Sequence, residues 1–339
     1  MNSLRISSTA GNKWFWLGAG LVLLVLVSAL LSLGFGAVAL SPKEVFSALL
    51  GRDTTTTAQQ IVRFTRLPRT CGALLAGAAL AVSGVIIQQV LANPLAAPNV
   101  IGVNAGAGFV VALSCAVLPK AITVLPVLSF VGALCGVLLV LFIGERTGAS
   151  RLTLVLAGVA ISSLFTAGVD AVVTFVPEAL SGYSDFRIGG LSNVSMARIL
   201  PAAALILPGL ALAISLAGKL DVLMLGSEVA RSLGLNVKPL RLLLLVIAAA
   251  LAGAAVSFSG LLGFVGLIVP HIFRRLVGDN CLPLMVCSAL GGAAFLTLCD
   301  LASRTLFAPY EIPVGIVLSF VGGPFFLWLL FHQRRHHHA

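Results

Sequence analysis

Few residues in this chain are of the types that carry out chemistry, and their spacing matches no known catalytic site. The sequence contains neither a GxSxG nor a HExxH pattern, and it has no GxxxxGK[ST] phosphate-binding loop. His271 has no Cys, Asp or second His at ligand spacing, which favours a capping or packing role over a metal site. We therefore expect no catalytic residue, no metal site and no cofactor bound by this chain.

Asp170 stands out among the titratable residues because it lies inside a long apolar run. A carboxylate at the depth of a bilayer costs roughly 2.5–3.5 kcal/mol. Its side chain should therefore face protein, water or a partner and not the lipid.

The composition identifies the class of protein. Of the 339 residues, 59% are hydrophobic and only 9% are charged, and the mean hydropathy is +1.11. A soluble domain would carry about 25% charged residues. The chain is therefore predicted to be an integral membrane protein. Its net charge of +10 does not indicate nucleic-acid binding, because the basic residues lie between apolar runs and not along one polar face.

Apolar runs of about 20 residues, the length that crosses a bilayer, predict an all-α fold of about ten spanning helices in a single domain, residues 1–339. The predicted spans are 14–34, 67–91, 101–118, 122–143, 152–175, 196–217, 239–259, 261–277, 282–303 and 312–332. An even number of spans places both termini on one side. With the termini in the cytoplasm, twelve of the 21 Lys and Arg residues lie on the cytoplasmic side, as the positive-inside rule requires.

An internal repeat indicates a transporter. LAGAALAVSG at 75–84 and LAGAAVSFSG at 251–260 agree at seven of ten positions, and Pro94 and Pro270 keep the same offset. The two segments belong to predicted helices that run in opposite directions, so the repeat would be of the inverted-topology kind found in transporters. The alternative is chance, because apolar spans rich in Ala, Gly and Leu share short strings.

The predicted second helix ends at Asn93, Pro94 and Leu95. Proline removes a backbone donor and Asn can cap the groups that this frees, so a bend is expected here.

Residues 220–241, LDVLMLGSEVARSLGLNVKPLR, form a charged island between two long apolar runs. Such polar density indicates a segment that lies in water and is presented to a partner. Ser227 is a suitable N-cap, and Gly234 can end a helix as its left-handed C′ residue. The sequence therefore predicts a short helix inside the island.

The predicted short helix has two different faces. Leu225, Val229 and Leu233 recur every four residues and form one apolar stripe. Glu228 in the first turn and Arg231 in the last lie opposite that stripe and suit the helix dipole.

Motifs along some 250 residues resemble those of the FecCD family, the ten-helix permeases of ABC importers for iron–siderophore complexes, haem and vitamin B12. Any one of the motifs is weak, but together and in this order they are specific. They are RLPR at 66–69, AGAALAVSG at 76–84, NPLAAP at 93–98, LAGVAIS at 156–162, LGSEVARSLGL at 225–235, GFVGLIVPH at 263–271 and EIPVGI at 311–316.

The resemblance implies a docking site for a substrate-binding protein. In the family, the two arginines of RLPR and one at the position of Arg304 meet glutamates on the two lobes of that protein. This assigns docking to Arg66, Arg69 and Arg304, with Arg63 as a neighbouring candidate. The alternative is that these arginines anchor helix ends at lipid phosphates. Asp300, four residues before Arg304, is expected to pair with it.

The resemblance also implies a gate and a pathway. In the family, Asn and Leu at the positions of Asn93 and Leu95 help to form the inner gate, and polar residues at the start of the fifth helix complete it. Ser150 and Thr153 are the nearest such residues here. Asp170 would then line the pathway, because the fifth helix borders the central cavity in the family. A simple helix stop at 93–95 and an internally bonded or protonated Asp170 are the alternatives.

The function implied is that of the permease subunit of a type II ABC importer, which carries an iron(III)–siderophore-type chelate. Haem or cobalamin import by a permease of the same family is the alternative. The expected partners are a second permease chain, a separate ATPase dimer that binds ATP and Mg, a substrate-binding protein and the lipid of a bacterial inner membrane. A proton-coupled secondary transporter that uses Asp170 is the alternative class.

The ATPase is expected to contact coupling helices at about 220–237. The resemblance assigns this contact to eight residues of the island, namely Leu225, Gly226, Ser227, Glu228, Ala230, Arg231, Leu233 and Gly234.

Overall fold

The computed structural model describes residues 6–36, 38, 40–51, 56–118, 123–147 and 151–335. In these residues it is all-helical, with no strand. The fourteen helices within these ranges are α1 (Ile6–Gly34), α2 (Pro42–Leu50), α3 (Thr57–Leu91), α4 (Val103–Val117), α5 (Leu125–Arg146), α6 (Arg151–Phe175), α7 (Ala179–Ile188), α8 (Met196–Ser215), α9 (Ala217–Met224), α10 (Ser227–Ser232), α11 (Val237–Ser259), α12 (Val265–Val277), α13 (Cys281–Thr305) and α14 (Val314–Arg335).

The all-α membrane fold predicted from hydropathy is confirmed. Seven of the helices in the described part of the chain are long and apolar enough to cross a membrane, and α4 and the apolar part of α14 are shorter. Each of the ten predicted spans corresponds to one helix. Helix α1 starts eight residues and α3 ten residues before the predicted span, and the other ends differ by at most four residues. The eighth span starts at Val265 and not at 261, because Gly260 and Phe264 adopt φ values of 68° and 66° and interrupt the helix.

Hydropathy missed α2, α7 and α9, which have only eight to ten residues. The start of α2 does carry a signal, because Ser41 and Glu44 form a reciprocal capping box beside Pro42.

The long helix α3 lies at the centre of the bundle and packs against α11, α12 and α13. Glycine permits the closest of these approaches. A Cβ atom on Gly77 would collide with the carbonyl group of Gly292 in α13. The helix backbones therefore touch directly, which maximises dispersion contacts where lipid supplies no hydrophobic driving force.

Helices α3 and α11 cross in opposite directions, and the hydroxyl of Ser83 donates to the carbonyl oxygen of Ala248 at 2.7 Å. This orientation fits the predicted inverted repeat, which stays a prediction. The proposed equivalence of Pro94 and Pro270 is not reproduced in local structure. Pro94 follows the end of α3, whereas Pro270 lies inside α12, because α3 continues to Leu91 while α11 stops at Ser259.

The bundle has two chemically different ends. We call one the arginine end, defined by Arg66, Arg69, Asp300 and Arg304. The other is the island end, defined by residues 217–241 and the last turn of α3. Helix α3 runs from the first to the second, since Arg69 contacts Asp300 and Gln89 contacts Asp279.

Candidate coupling surface and transport pathway

The island folds as two short helices, α9 and α10, joined at Leu225 and Gly226. The predicted N-cap of α10 at Ser227 is wrong by one residue. Gly226 is the cap and has φ 104° and ψ 156°, a conformation that glycine adopts without strain. The Ser227 hydroxyl instead accepts a hydrogen bond from the Arg241 guanidinium group at 3.4 Å.

The predicted end of α10 at Gly234 is confirmed. Gly234 has φ 83°, its amide donates to the Arg231 carbonyl at 2.9 Å, and the Leu235 amide donates to the Ala230 carbonyl at 3.0 Å. These two bonds form a Schellman motif, which satisfies the last carbonyls of the helix.

The apolar stripe of the island faces outward. Leu225, Val229 and Leu233 are 62%, 45% and 61% exposed, while Ala230 between them is fully buried. Glu228 is also exposed. An apolar stripe that a folded chain leaves uncovered beside charged residues is typical of a protein interaction surface.

The island is fixed to the bundle through the start of α13. The carboxylate of Asp221 accepts a hydrogen bond from the Cys281 amide at 2.8 Å. The Cys281 thiol contacts the Met224 sulfur at 3.9 Å, and Leu220 and Leu223 are buried beneath. The first turn of α13 is therefore bonded directly to α9.

A second set of contacts continues from this point to the last turn of α3. The Arg274 guanidinium forms an ion pair with Asp279 at 3.1 Å and donates to the side-chain oxygen of Gln88 at 3.0 Å. The Gln89 amide group donates to the carbonyl of Asp279 at 3.4 Å. Asp279 lies two residues before Cys281, so a continuous set of contacts joins the island to α3.

The predicted break after α3 is present. Ala92 adopts the left-handed conformation with φ 46°, and the Asn93 amide donates to the Gln88 carbonyl at 3.0 Å. The side-chain oxygen of Asn93 accepts from the Leu95 amide at 2.9 Å. Asn93 and Pro94 are exposed. The helix stop is thus observed, and the gate role of residues 93–95 stays a prediction.

A groove of about 640 Å³ lies along α6. One side of α6 carries Ser163, Thr166 and Asp170, all exposed in the single chain. The wall opposite comes from the 3-10 segment Pro98–Ile101. The lining residues are Asn99, Val100, Val155, Val159, Ser162, Ser163, Thr166, Ala167 and Asp170.

Thr153 and Ser150 were also predicted to belong to the gate, and this role stays a prediction. Thr153 lies in the first turn of α6 and is partly buried. Ser150 lies outside the described residues.

The arginine end holds a buried ion network. The Arg69 guanidinium contacts Asp300 at 2.8 Å and Glu311 at 2.6 Å, and Arg304 contacts the second oxygen of Asp300 at 3.5 Å. The Arg304 guanidinium also donates to the carbonyl of Ser32 at 2.9 Å. Asp300 is fully buried, and Arg69 and Arg304 are each 3% exposed.

Arg66 is turned inward as well. Its guanidinium donates to the carbonyls of Leu33 and Gly34 at 2.9 and 2.6 Å, and also to that of Val38. Arg63 is partly buried. The three arginines assigned to docking are thus bound to groups of their own chain. The predicted pair of Asp300 with Arg304 is observed, whereas the longer-range contacts of Arg69 were missed because 231 residues separate it from Asp300.

Comparison with known proteins decides the family. A sequence model of the FecCD transport family matches residues 23–332. The chain belongs to this family. It is 41% identical over 322 residues to the hemin transport system permease protein HmuU of Yersinia pestis, covering 93% of this chain and 95% of that one. It is 37% identical over 309 residues to the iron-uptake system permease protein FeuB of Bacillus subtilis, covering 90% and 92%.

Solved structures agree with this assignment. A metal-chelate type ABC transporter in an inward-facing conformation superposes with a TM-score of 0.83 at 31% identity, covering 94% of this chain and 99% of that chain. The FecCD chain is therefore a multi-pass permease of the ABC importer class, in which a separate ATPase hydrolyses ATP. The alternative of a proton-coupled secondary transporter is set aside.

Proposed function

We propose that this FecCD chain is the membrane subunit that moves an iron(III)–siderophore-type chelate across a bacterial inner membrane. A substrate-binding protein delivers the chelate, and a separate ATPase dimer drives the movement. ATP and Mg are bound by that ATPase, and this chain holds no cofactor of its own. The observation that carries the proposal is the uncovered apolar stripe of the island, in a chain of this family.

The ATPase binds the island. Leu225 and Leu233 supply apolar area, and Glu228 and Arg231 supply charges that fix orientation. Interfaces of this kind take most of their binding energy from a few apolar anchors that become fully buried. Both termini lie on the same cytoplasmic side as the island, in keeping with the positive-inside count.

Movement of the island reaches the gate through the contacts described above. Asp221 ties α9 to Cys281, and the adjoining Asp279 is tied to Gln89 and, through Arg274, to Gln88. The carbonyl of Gln88 holds the amide of Asn93. A shift of α9 therefore displaces the left-handed turn at Ala92, next to the proposed gate of Asn93, Pro94 and Leu95.

The groove along α6 is one wall of the pathway, and a second copy of this chain supplies the other wall. Polar side chains on a spanning helix face protein or water because lipid offers them no hydrogen bonds. Ser163, Thr166 and Asp170 are such side chains, and they share one side of α6. A homodimer would close the groove into a water-filled passage. Thr153, in the first turn of α6, lies at its inner end.

The substrate-binding protein docks at the arginine end. Arg66 donates to backbone carbonyls of its own chain, and Arg304 contacts Ser32 and the buried Asp300. Arg69 is the member able to change partners, because one of its two carboxylates lies at the surface. Its second carboxylate, Glu311, is 39% exposed, and an incoming glutamate could replace it with little loss of Coulomb energy. Arg63 lies at the edge of the same surface.

The proposed cargo class follows the functions named for the relatives. FeuB belongs to an iron-uptake system and HmuU to a hemin transport system. Ferric chelates are the first choice, and haem and cobalamin are the alternatives within the family.

The test is reconstitution of this chain in proteoliposomes with its cognate ATPase and binding protein. Uptake of a ferric siderophore, haem and cobalamin is measured in vesicles whose lumen faces the island. The lumen contains either ATP or a non-hydrolysable analogue of ATP. ATP-dependent accumulation of the ferric siderophore is expected. Uptake that needs a proton gradient but no ATP contradicts the proposal, and preference for haem or cobalamin changes only the cargo.

A further inference from the structure

A cavity of about 360 Å³ opens between the end of α5, the start of α6 and the start of α11. It lies at the island end, outside the α6 groove and outside the stripe. Its lining residues are Leu141, Glu145, Arg146, Leu154, Lys238, Arg241 and Leu242.

The polar side of this cavity is strongly basic. Arg146, Lys238 and Arg241 contribute three positive charges, against one negative charge from Glu145. Arg146 and Lys238 are exposed, and the Arg146 guanidinium lies 5.4 Å from the centre of the Phe142 ring. A group that binds here therefore meets a net charge of about two positive units, which favours an anion.

The other side of the cavity is apolar. Leu141 and Leu154 are 6% and 3% exposed and form its floor. Phe142 and Leu243, next to the lining residues on α5 and α11, are 57% and 43% exposed. Apolar side chains on membrane-spanning helices that point outward at this level contact acyl chains.

The position along the helices places the cavity at the membrane boundary. The spanning helix α5 ends at Arg146, and the spanning helix α11 begins at Val237. The cations therefore lie where two apolar spans meet water, the depth of lipid phosphates. Basic pockets between spanning helices at this depth bind anionic lipid headgroups.

We propose that this cavity binds the phosphate group of an anionic phospholipid, with Arg146 and Lys238 as its principal contacts. The acyl chains lie along Phe142 and Leu243. A soluble phosphate could meet the same cations, but it would gain nothing from the apolar side chains at the rim. The proposal concerns lipid binding and does not depend on which cargo is carried.

Occupancy has a consequence for the island. Arg241 lines the cavity and donates to Ser227 at 3.4 Å, and Ser227 is the first residue of α10. A bound phosphate pulls the Arg241 side chain toward the cavity and so changes the support of α10. ATP-driven transport should therefore depend on the headgroup charge of the surrounding lipid.

The binding experiment uses the full chain in nanodiscs of mixed phosphatidylglycerol and phosphatidylcholine. Lipid that stays bound after release from the disc is identified by native mass spectrometry. The wild type should retain phosphatidylglycerol. A basic residue near an anionic surface contributes about fivefold in affinity, so the double variant Arg146→Gln/Lys238→Gln should retain about 25-fold less. Glu145→Gln should retain more than the wild type.

Matched controls separate this site from general charge effects and from misfolding. Lys219→Gln removes an exposed cation at the same end, outside the cavity, and should retain phosphatidylglycerol as the wild type does. The thermal unfolding midpoint of each variant in phosphatidylcholine alone checks that it is folded. Millimolar inorganic phosphate is added in a parallel arm.

Three results would overturn the proposal. The first is equal retention of the two lipids by the wild type. The second is full retention of phosphatidylglycerol by the folded double variant. The third is displacement of phosphatidylglycerol from the wild type by inorganic phosphate. The last result would identify the cavity as a site for soluble phosphate.

Discussion

Charged residues are buried at one end of the bundle and exposed at the other. At the arginine end, Arg69, Asp300 and Arg304 are at most 3% exposed and are bound to one another. At the island end, Glu228 and Arg231 are exposed, and two leucines of the stripe are more than 60% exposed.

The difference indicates how much surface each end leaves for a partner. Buried ions that pair with one another fix how α1, α3 and α13 pack. An exposed apolar stripe leaves hydrophobic free energy that only a partner can recover. The arginine end is therefore a rigid network that offers a partner only the half-exposed pair of Arg69 with Glu311, whereas the island end is a surface built for another chain.

The largest expected effect is on stability at the arginine end. Asp300→Ala leaves Arg69 and Arg304 buried without their shared carboxylate, which should lower the free energy of unfolding by about 3–5 kcal/mol. Thermal unfolding in detergent measures this. Glu311→Gln is the matched control, because its half-exposed pair with Arg69 should contribute no more than about 1 kcal/mol. Equal effects of the two variants would contradict the account of a rigid buried network.

The next effect is on partner binding at the island end. Leu225→Ser/Leu233→Ser should weaken binding of the ATPase by about 2 kcal/mol or more, roughly 30-fold, because two anchors are lost. The unfolding midpoint of the permease alone should stay unchanged, since these side chains contact water in the single chain. Titration of purified ATPase against the permease in nanodiscs gives the affinity. A double variant that is less stable but binds the ATPase as tightly as the wild type would contradict this account, because the stripe would then support the fold and not the partner.

A smaller effect is expected where the island joins the bundle. Asp221→Ala removes the acceptor for the Cys281 amide and should destabilise the start of α13 by about 1 kcal/mol. ATP hydrolysis should continue while transport per ATP falls, because α9 no longer carries α13 with it. Lys219→Ala, two residues away and exposed, is the control. An unchanged ratio of transport to hydrolysis would exclude Asp221 from the linkage.

The smallest effect concerns the turn after α3. Asn93→Ala loses the acceptor for the Leu95 amide, at a cost of about 1 kcal/mol, whereas Asn93→Asp keeps it. If Asn93→Asp has both the stability and the transport of the wild type, Asn93 has a structural role. If Asn93→Asp has the stability of the wild type but not its transport, the result supports the proposed gate. Transport and unfolding measured on both variants distinguish the two.

Much of the fold was predictable because apolar runs and caps act locally. Gly234 ends α10 as predicted, since its left-handed conformation depends only on neighbouring residues. The ten spans were likewise predicted from their own length and hydropathy. The cap at Gly226 was missed because Ser and Gly are both good candidates, and only the backbone angles decide between them.

The long-range contacts could not be predicted from the sequence. Arg69 lies far along the chain from Asp300 and Glu311, and no local pattern connects them. Arg66 is buried because the end of α1 lies beside it. Hydropathy predicts the length of α1 but not the position of its end in space. Contacts such as Arg274 with Gln88 depend in the same way on how α12 packs against α3.

The most direct test asks on which side of the membrane the island lies and whether the ATPase covers it. Glu228→Cys is labelled with a membrane-impermeant maleimide in right-side-out and inverted bacterial membrane vesicles, with the unsubstituted chain as the blank. The account predicts labelling in inverted vesicles alone, and protection when the ATPase is added. Labelling in right-side-out vesicles, or no protection by a bound ATPase, would contradict it.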